Sequence, residues 1–171
     1  MSLTRADEYR RAFEHESQAN HAMLDMLAGV PEAARWDGRF QRAISIASHM
    51  CACRQNYLNS LLGSESQAEP WFEEQGDFSS LRSRFNRMEA EWKAYLANLD
   101  GAALDGFFTF WDNGRKWKMS TQAQLFQLIG HAGYHRGQVV LLVDQLGGET
   151  VDTDFILWFE QNVPGGCGEA D

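Results

Sequence analysis

Apolar residues recur at helical spacing over the longest regular stretch of the chain, residues 121–146. The positions in this register are Leu125, Leu128, Ala132, His135, Val139, Leu142 and Leu146. Thr121 and Gln124 have the spacing of a capping box, in which a hydroxyl and a glutamine three residues later satisfy free backbone N–H groups. Gly147 and Gly148 can take the left-handed conformation that terminates helices. The pattern predicts one long helix that begins at Thr121.

Three earlier segments show the same period. They predict helices over residues 4–28, over residues 39–62, and from Asp77 or Ser79 to Leu99. Four amphipathic helices of this kind bury their apolar faces against one another. The sequence therefore predicts an all-α fold, a four-helix bundle, with a polar loop over residues 64–76.

The period changes on either side of the last long helix. Residues 107–119 surround Asp112-Asn113-Gly114 and predict a short hairpin or extended loop. Residues 155–159 predict a short C-terminal helix, and residues 164–171 lack apolar side chains and are expected to fray. Because the chain has 171 residues and is 44% hydrophobic, we expect a single domain over residues 1–171.

The charge balance bears on partners and location. Fifteen Lys and Arg face 24 Asp and Glu, a formal charge of -9, which disfavours binding to a nucleic-acid backbone. No apolar run reaches the roughly 18 residues of a membrane span, and the start MSLTRADEYRR is too charged for a secretory signal. We expect a cytoplasmic protein that binds neither nucleic acid nor membrane.

Three cysteines are too few and too irregular for a disulfide framework. Cys51 and Cys53 lie among apolar residues of the second predicted helix, and Cys167 lies in the tail. Cys51-Ala52-Cys53 lacks the two-residue spacer of a zinc knuckle or redox pair. Buried, reduced thiols are the prediction.

Two histidines stand four residues apart on the longest helix. His131 and His135 therefore project from one face, with Cβ atoms about 6 Å apart, and one metal ion can bind both. They share a stripe with Leu128, Gln138 and Leu142 that faces the core. Such pairs also occur as ordinary surface or core residues, but these two lack a carboxylate partner one turn away.

His49, on the second helix, is the candidate third ligand. Its neighbours Ile46 and Cys53 support an inward orientation, and bundles build metal sites from facing helices. Cys53 is a rival ligand, although thiolate sites usually contain further cysteines. His15 and His21, on the charged first helix, are predicted to be surface residues.

The segment HAGYHRGQVVLLVDQLGG, the isolated His49 and the segment TDFILWF resemble the DinB-like superfamily. The resemblance implies a four-helix bundle with a metal site formed by His49, His131 and His135, and it implies a homodimer. The chain departs from the family pattern at residues 50–54, Met-Cys-Ala-Cys-Arg, and at Tyr134, where a histidine is frequent. Neither departure removes a ligand. Characterised relatives include bacillithiol transferases and mycothiol-dependent maleylpyruvate isomerases, so the resemblance implies a small-molecule substrate, with a low-molecular-weight thiol as one candidate.

Three protein ligands leave a coordination position open, as in catalytic sites. The first functional hypothesis is a metal-dependent enzyme, a thiol S-transferase or a hydrolase, in which Gln138 orients a ligand or substrate. The alternatives are a non-catalytic metal-binding protein and a helical interaction module with incidental histidines. Imidazole ligands suit one divalent transition metal, Zn or Ni first, with Fe as a further candidate.

Several other side chains have ordinary structural interpretations. The aromatic residues of the hairpin, Phe108, Phe110, Trp111 and Trp117, are expected to pack rather than to line a cleft. Arg136, beside the second candidate ligand, could recognise a carboxylate, but the expectation is a solvated or ion-paired surface residue. The acidic residues expected to be solvated are Glu73, Glu74, Glu89 and Glu91.

Overall fold

Four long helices form the body of the protein. The computed structural model describes residues 3–64, 70–73, 76–112 and 114–165. In chain order the elements are α1 (Arg5–Gly29), a 3₁₀ helix (Glu32–Trp36), α2 (Gly38–Leu61), α3 (Phe78–Ala97), α4 (Gly101–Leu104), β1 (Phe107–Asp112), β2 (Arg115–Ser120), α5 (Thr121–Gln145) and α6 (Phe155–Asn162). Each long helix packs against two others, in the order α1, α3, α2, α5 around the bundle. The predicted all-α bundle is confirmed.

The apolar core lies between these four helices. Its fully buried members include Met23 and Leu27 of α1, Leu58 of α2, Phe85 and Trp92 of α3, and Val139 and Val143 of α5. Burial of a large apolar side chain contributes roughly 1.5–3 kcal/mol. The helical period seen in the sequence therefore identifies the faces that hold the bundle together.

Helix α5 begins at Thr121 as predicted, but its capping residue differs from the prediction. The predicted cap, Thr121, is the first residue of the helix and is buried, whereas the hydroxyl of Ser120 accepts the Ala123 N–H at 3.3 Å. Strand β2 extends to Ser120, and the Thr121 N–H donates to the carbonyl of Gly106 at 3.1 Å. This strand contact fixes the point at which the helix can begin.

Two short elements were not predicted. The 3₁₀ helix follows α1, and α4 follows α3, which ends at Ala97 rather than at Leu99. Asp100 caps α4, because its side chain accepts the Ala103 N–H at 2.8 Å. One-turn helices of this kind lack the repeated period by which the long helices were predicted.

The hairpin is confirmed as an antiparallel pair in which Phe107 faces Ser120. Phe108 is buried, and Phe110 packs against Tyr57 of α2 with ring centroids 5.7 Å apart. Trp111 and Trp117 lie on the surface, so the packing expected for them is not found within the chain. Trp111 lies on the strand face opposite to Phe108 and Phe110, which meet the bundle. Trp117 is the cross-strand partner of Phe110 and shares its face, but it is 49% exposed.

The predicted short C-terminal helix is present as α6, which lies against α1. Trp158 and Phe159 are half-buried, whereas Phe155, Ile156 and Leu157 remain largely exposed. The tail predicted to fray lies outside the described residues from Gly166 onward. In the parts of the chain that the structure describes, no helix has both the length and the apolar content needed to span a bilayer.

Candidate metal centre

Three histidine rings from two neighbouring helices meet in the structure. His49 lies on α2, and His131 and His135 lie on α5, which packs directly against α2. The ring centroids are 5.1 Å apart for His49 and His131, 4.9 Å for His49 and His135, and 4.4 Å for His131 and His135. The residues selected from the sequence therefore lie side by side.

Carbonyl oxygens fix the tautomers of two of these rings. His49 Nδ1 is 2.6 Å from the carbonyl oxygen of Trp71, and His135 Nδ1 is 2.8 Å from the side-chain oxygen of Gln138. Because these oxygens only accept, each Nδ1 carries the hydrogen, and each Nε2 of the neutral ring keeps a free electron pair. This is the outer arrangement usual for metal-binding histidines.

Burial favours the neutral form of His49 and His131. It lowers the pKa of His49 and lowers the pKa of His131 to about 4, and in both cases the neighbouring His135 adds to the effect. The Nε2 atoms of His49 and His131 are 3.2 Å apart. Two neutral imidazoles with facing nitrogens offer donor atoms that a cation can bind without first displacing protons from charged rings.

Cys53 lies in the same cluster. Its Sγ is 3.5 Å from both ring nitrogens of His49, and donor atoms of His49, Cys53 and His131 all lie within 4.8 Å of one another. Burial raises the pKa of the Cys53 thiol to about 12, so the thiol is protonated unless a cation binds it. Two candidate donor sets therefore share His49 and His131. Donor-atom distances add Cys53 to them, whereas ring-centroid distances place His135 beside them.

Two aromatic rings stand beside the histidines. Phe72 stacks on His49 with ring centroids 4.2 Å apart, and Tyr134 contacts His135 edge-on at 5.0 Å. Both aromatic rings are largely exposed, and His131 and His135 are only half-buried. Solvent therefore reaches the cluster from the α5 side. The role of residues 71–72 was missed, although two adjacent aromatics in a polar loop were a signal.

The remaining histidines are not free surface groups. His15 is buried and its Nε2 donates to the carbonyl of Thr153 at 2.9 Å, so the surface prediction for it is wrong. His21 is half-buried, with Nε2 2.9 Å from a carboxylate oxygen of Glu89. Both side chains pack against neighbouring elements that the sequence pattern of α1 alone does not reveal.

The acidic residues expected to be solvated divide into several cases. Glu89 is buried, which contradicts the prediction, and Glu73 pairs with Arg84 at 2.6 Å in a half-buried position. Glu91 is exposed as expected, while Glu74 lies outside the described residues.

A layer of polar residues crosses the bundle interior near the histidines. Glu16 of α1 pairs with Arg54 of α2, and both are almost fully buried. Asn20 contacts Arg136 at 3.3 Å and Glu89 at 3.5 Å. The sequence carried a signal for part of this layer, because residues 16 and 20 share the helical register of the core residues of α1.

Arg136, expected at the surface, is 5% exposed. It lies on α5 immediately after His135, but on the side of the helix that faces α1, where it contacts Asn20. Successive helical residues point about 100° apart, so a neighbour of a metal-facing histidine can face another helix.

Comparison with known proteins agrees with this architecture. The model of the DinB family matches residues 1–164 of the 171-residue chain. No curated protein and no solved structure matches the chain significantly. A helical bundle with a potential metal-binding group of histidine and cysteine side chains is what this family would be expected to contain. The chain belongs to the DinB family.

Proposed function

We propose that the protein binds one divalent transition metal through His49, His131 and His135 and acts as a metal-dependent enzyme of the thiol S-transferase or hydrolase type. The observation that carries the proposal is the convergence of three imidazoles from two helices, with every pair of ring centroids within 5.1 Å. The carbonyl acceptor at His49 supports it, because it leaves Nε2 of this ring facing His131, whose Nε2 is 3.2 Å away.

The chemistry follows from the donor set. When bound, an ion held by three neutral imidazoles supplies Lewis-acid chemistry, because its charge is not compensated by the protein. The chain itself holds the rings in one tautomer through Trp71 and Gln138. The half-buried rings of His131 and His135 leave an approach for a small-molecule substrate, with a low-molecular-weight thiol as the first candidate. Zn and Ni suit this donor set best, and Fe is also compatible.

Metal analysis of untagged protein tests the ligand set. After incubation with Zn or Ni and desalting, we expect one equivalent in the wild type and less than about a tenth of that in His49→Ala, His131→Ala and His135→Ala, since each change removes one of three ligands. His21→Ala is the matched control, because His21 lies on α1 and pairs with Glu89 outside the cluster. A wild-type protein that retains no metal would contradict the proposal.

Cys53→Ser distinguishes the two donor sets. If His135 completes the site, Cys53→Ser retains its metal. The cobalt-substituted wild type then shows no thiolate charge-transfer band. If Cys53→Ser loses the metal while His135→Ala retains it, the ligands are His49, Cys53 and His131, and the three-histidine proposal is wrong.

The enzymatic part of the proposal has its own test. Metal-loaded protein is screened with several low-molecular-weight thiols, each combined with electrophiles and with ester or amide substrates. We expect turnover that disappears in His131→Ala and is retained in His21→Ala. Inactivity of a fully loaded protein across the screen would favour a non-catalytic metal-binding role.

A further inference from the structure

A cavity lies on the opposite side of α5 from the histidine cluster. It has a volume of about 350 Å³, is bordered by α1, α5 and residues 153–155, and is open to solvent. Its polar lining includes His15, Glu16, Arg136 and Thr153. Pockets of roughly 300 Å³ and more are large enough for small organic ligands.

The guanidinium of Arg136 borders this cavity without a counterion. Arg136 is 5% exposed, and it donates from Nε to the Thr153 hydroxyl and from one Nη to Asn20, both at 3.3 Å. Among the residues that the structure describes, it forms no ion pair with an acidic side chain, and its second Nη makes no hydrogen bond. An arginine guanidinium keeps its charge at neutral pH, so this group is a cation.

A buried cation of this kind is an anion-binding group. Leaving a charge unpaired inside a protein is unfavourable, and a ligand carboxylate would offset that cost. The planar guanidinium matches a carboxylate with two parallel hydrogen bonds, and Thr153 adds a hydroxyl beside it. The contacts to Asn20 and Thr153 already hold the guanidinium in place.

The other charged groups limit the ligand to a single negative charge. Glu16 borders the cavity and pairs with Arg54 through Oε2, while its buried Oε1 has no hydrogen-bond partner among the described residues, and Asp154 adds a carboxylate at the rim. A dianion such as phosphate would face these two carboxylates with only one uncompensated cation. Ile129, Phe155 and the two glycines Gly133 and Gly137 form the rest of the lining, which leaves room for an apolar body.

We propose that this cavity binds a small organic monocarboxylate with an apolar body, whose carboxylate pairs with Arg136. The proposal does not depend on the metal site, because the cavity lies between α5 and α1 rather than between α5 and α2.

The test is an NMR titration of the full-length protein with acetate, benzoate and phenylacetate, compared with inorganic phosphate. We expect saturable shifts at the Arg136 Nε–H and the Thr153 amide, tighter for the two aromatic acids than for acetate or phosphate. Arg136→Gln should raise the dissociation constant about tenfold to a hundredfold, the loss typical of a charge-assisted hydrogen bond.

Two glycine variants keep the test decisive if Arg136→Gln folds poorly. A Cβ at Gly137 meets no atom within 4 Å, so Gly137→Leu should fold and fill part of the cavity. Gly130→Leu is the matched control, because Gly130 lies on the same helix in equally open space but does not border the cavity. We expect Gly137→Leu to abolish binding and Gly130→Leu to retain it.

Three results would overturn the proposal. The first is the absence of saturable binding of all three monocarboxylates to the wild type. The second is equal binding to the wild type and Gly137→Leu, which would place the ligand elsewhere. The third is tighter binding of phosphate than of the aromatic acids, which would contradict the monocarboxylate preference. Repeating the titration after chelator treatment separates this site from the histidine cluster.

Discussion

Glu16 and Arg54 form an ion pair inside the bundle, where removing one partner is more costly than removing both. The Arg54 guanidinium also lies 5.7 Å from the ring centroids of Phe13 and Trp92, so it is enclosed by apolar surface. In this environment the charge of Arg54 depends on nearby carboxylates for compensation.

We predict that Glu16→Gln lowers the free energy of unfolding by about 3 kcal/mol, because it leaves the Arg54 charge buried and unpaired. Urea unfolding followed by circular dichroism measures the change. Asp105→Asn is the matched control, since Arg5 and Asp105 pair at 2.9 Å on the surface and such pairs contribute less than about 1 kcal/mol. Equal effects of the two substitutions would show that burial of the Glu16 pair has no energetic consequence.

The protonation of His15 makes the free energy of unfolding depend on pH. Its pKa is lowered by burial and by the nearby Arg136, against the opposing effects of its bond to Thr153 and of Asp154. Below a pH of about 6.5 the unfolded chain binds a proton that the folded protein resists, so stability falls as the pH decreases.

We therefore predict that His15→Gln reduces the loss of stability between about pH 7 and pH 5, while differing little in slope above pH 7. Glutamine keeps an N–H donor for the Thr153 carbonyl. The measurement is the difference in unfolding free energy between the wild type and the variant across this range. If the unfolding free energies of the wild type and the variant changed in parallel with pH, His15 would have the same pKa in the folded and the unfolded protein, and the prediction would be wrong.

At the scale of secondary-structure elements, the long helices were predictable and the short ones were not. The bounds of α1 and α2 differ from the prediction by one residue, because an apolar face repeated over six turns identifies a helix. The one-turn α4 depends on a single cap at Asp100. The start of α5 at Thr121 was predicted, but its cap at Ser120 was not, because the Thr121 N–H donates to Gly106, a contact that no local motif encodes.

The cap of α5 gives a prediction of its own. Ser120→Ala should lower the free energy of unfolding by about 1 kcal/mol, because the Ala123 N–H loses its acceptor. Ser120→Asp retains an acceptor and should stay close to the wild type. Chemical denaturation of the three proteins checks this order, and an Ala variant as stable as the wild type would contradict the assigned cap.

At the scale of the whole molecule, the sequence predicted which histidines would meet but not what surrounds them. His131 and His135 share a helix face by spacing alone, and His49 joins them because α2 packs on α5. The burial of Glu89 and Arg136 was not predictable, because each is buried by a helix distant in the chain. Whether a polar side chain is buried depends on which other helix packs against it, and the apolar pattern of its own helix does not contain that information.

The homodimer expected from the resemblance remains a prediction at this scale. Sedimentation equilibrium at increasing protein concentration should give a mass twice that of the 19.4 kDa chain. A single species of chain mass over the whole concentration range would contradict it.

The junction between β2 and α5 has a consequence for how chains of this kind can vary in length. Strand and helix follow one another at Ser120 and Thr121 without an intervening residue. An amino acid inserted there would turn everything beyond it by about 100° and move the imidazoles of α5 away from α2. Insertions and deletions should therefore be tolerated in the connecting loops but excluded from this junction.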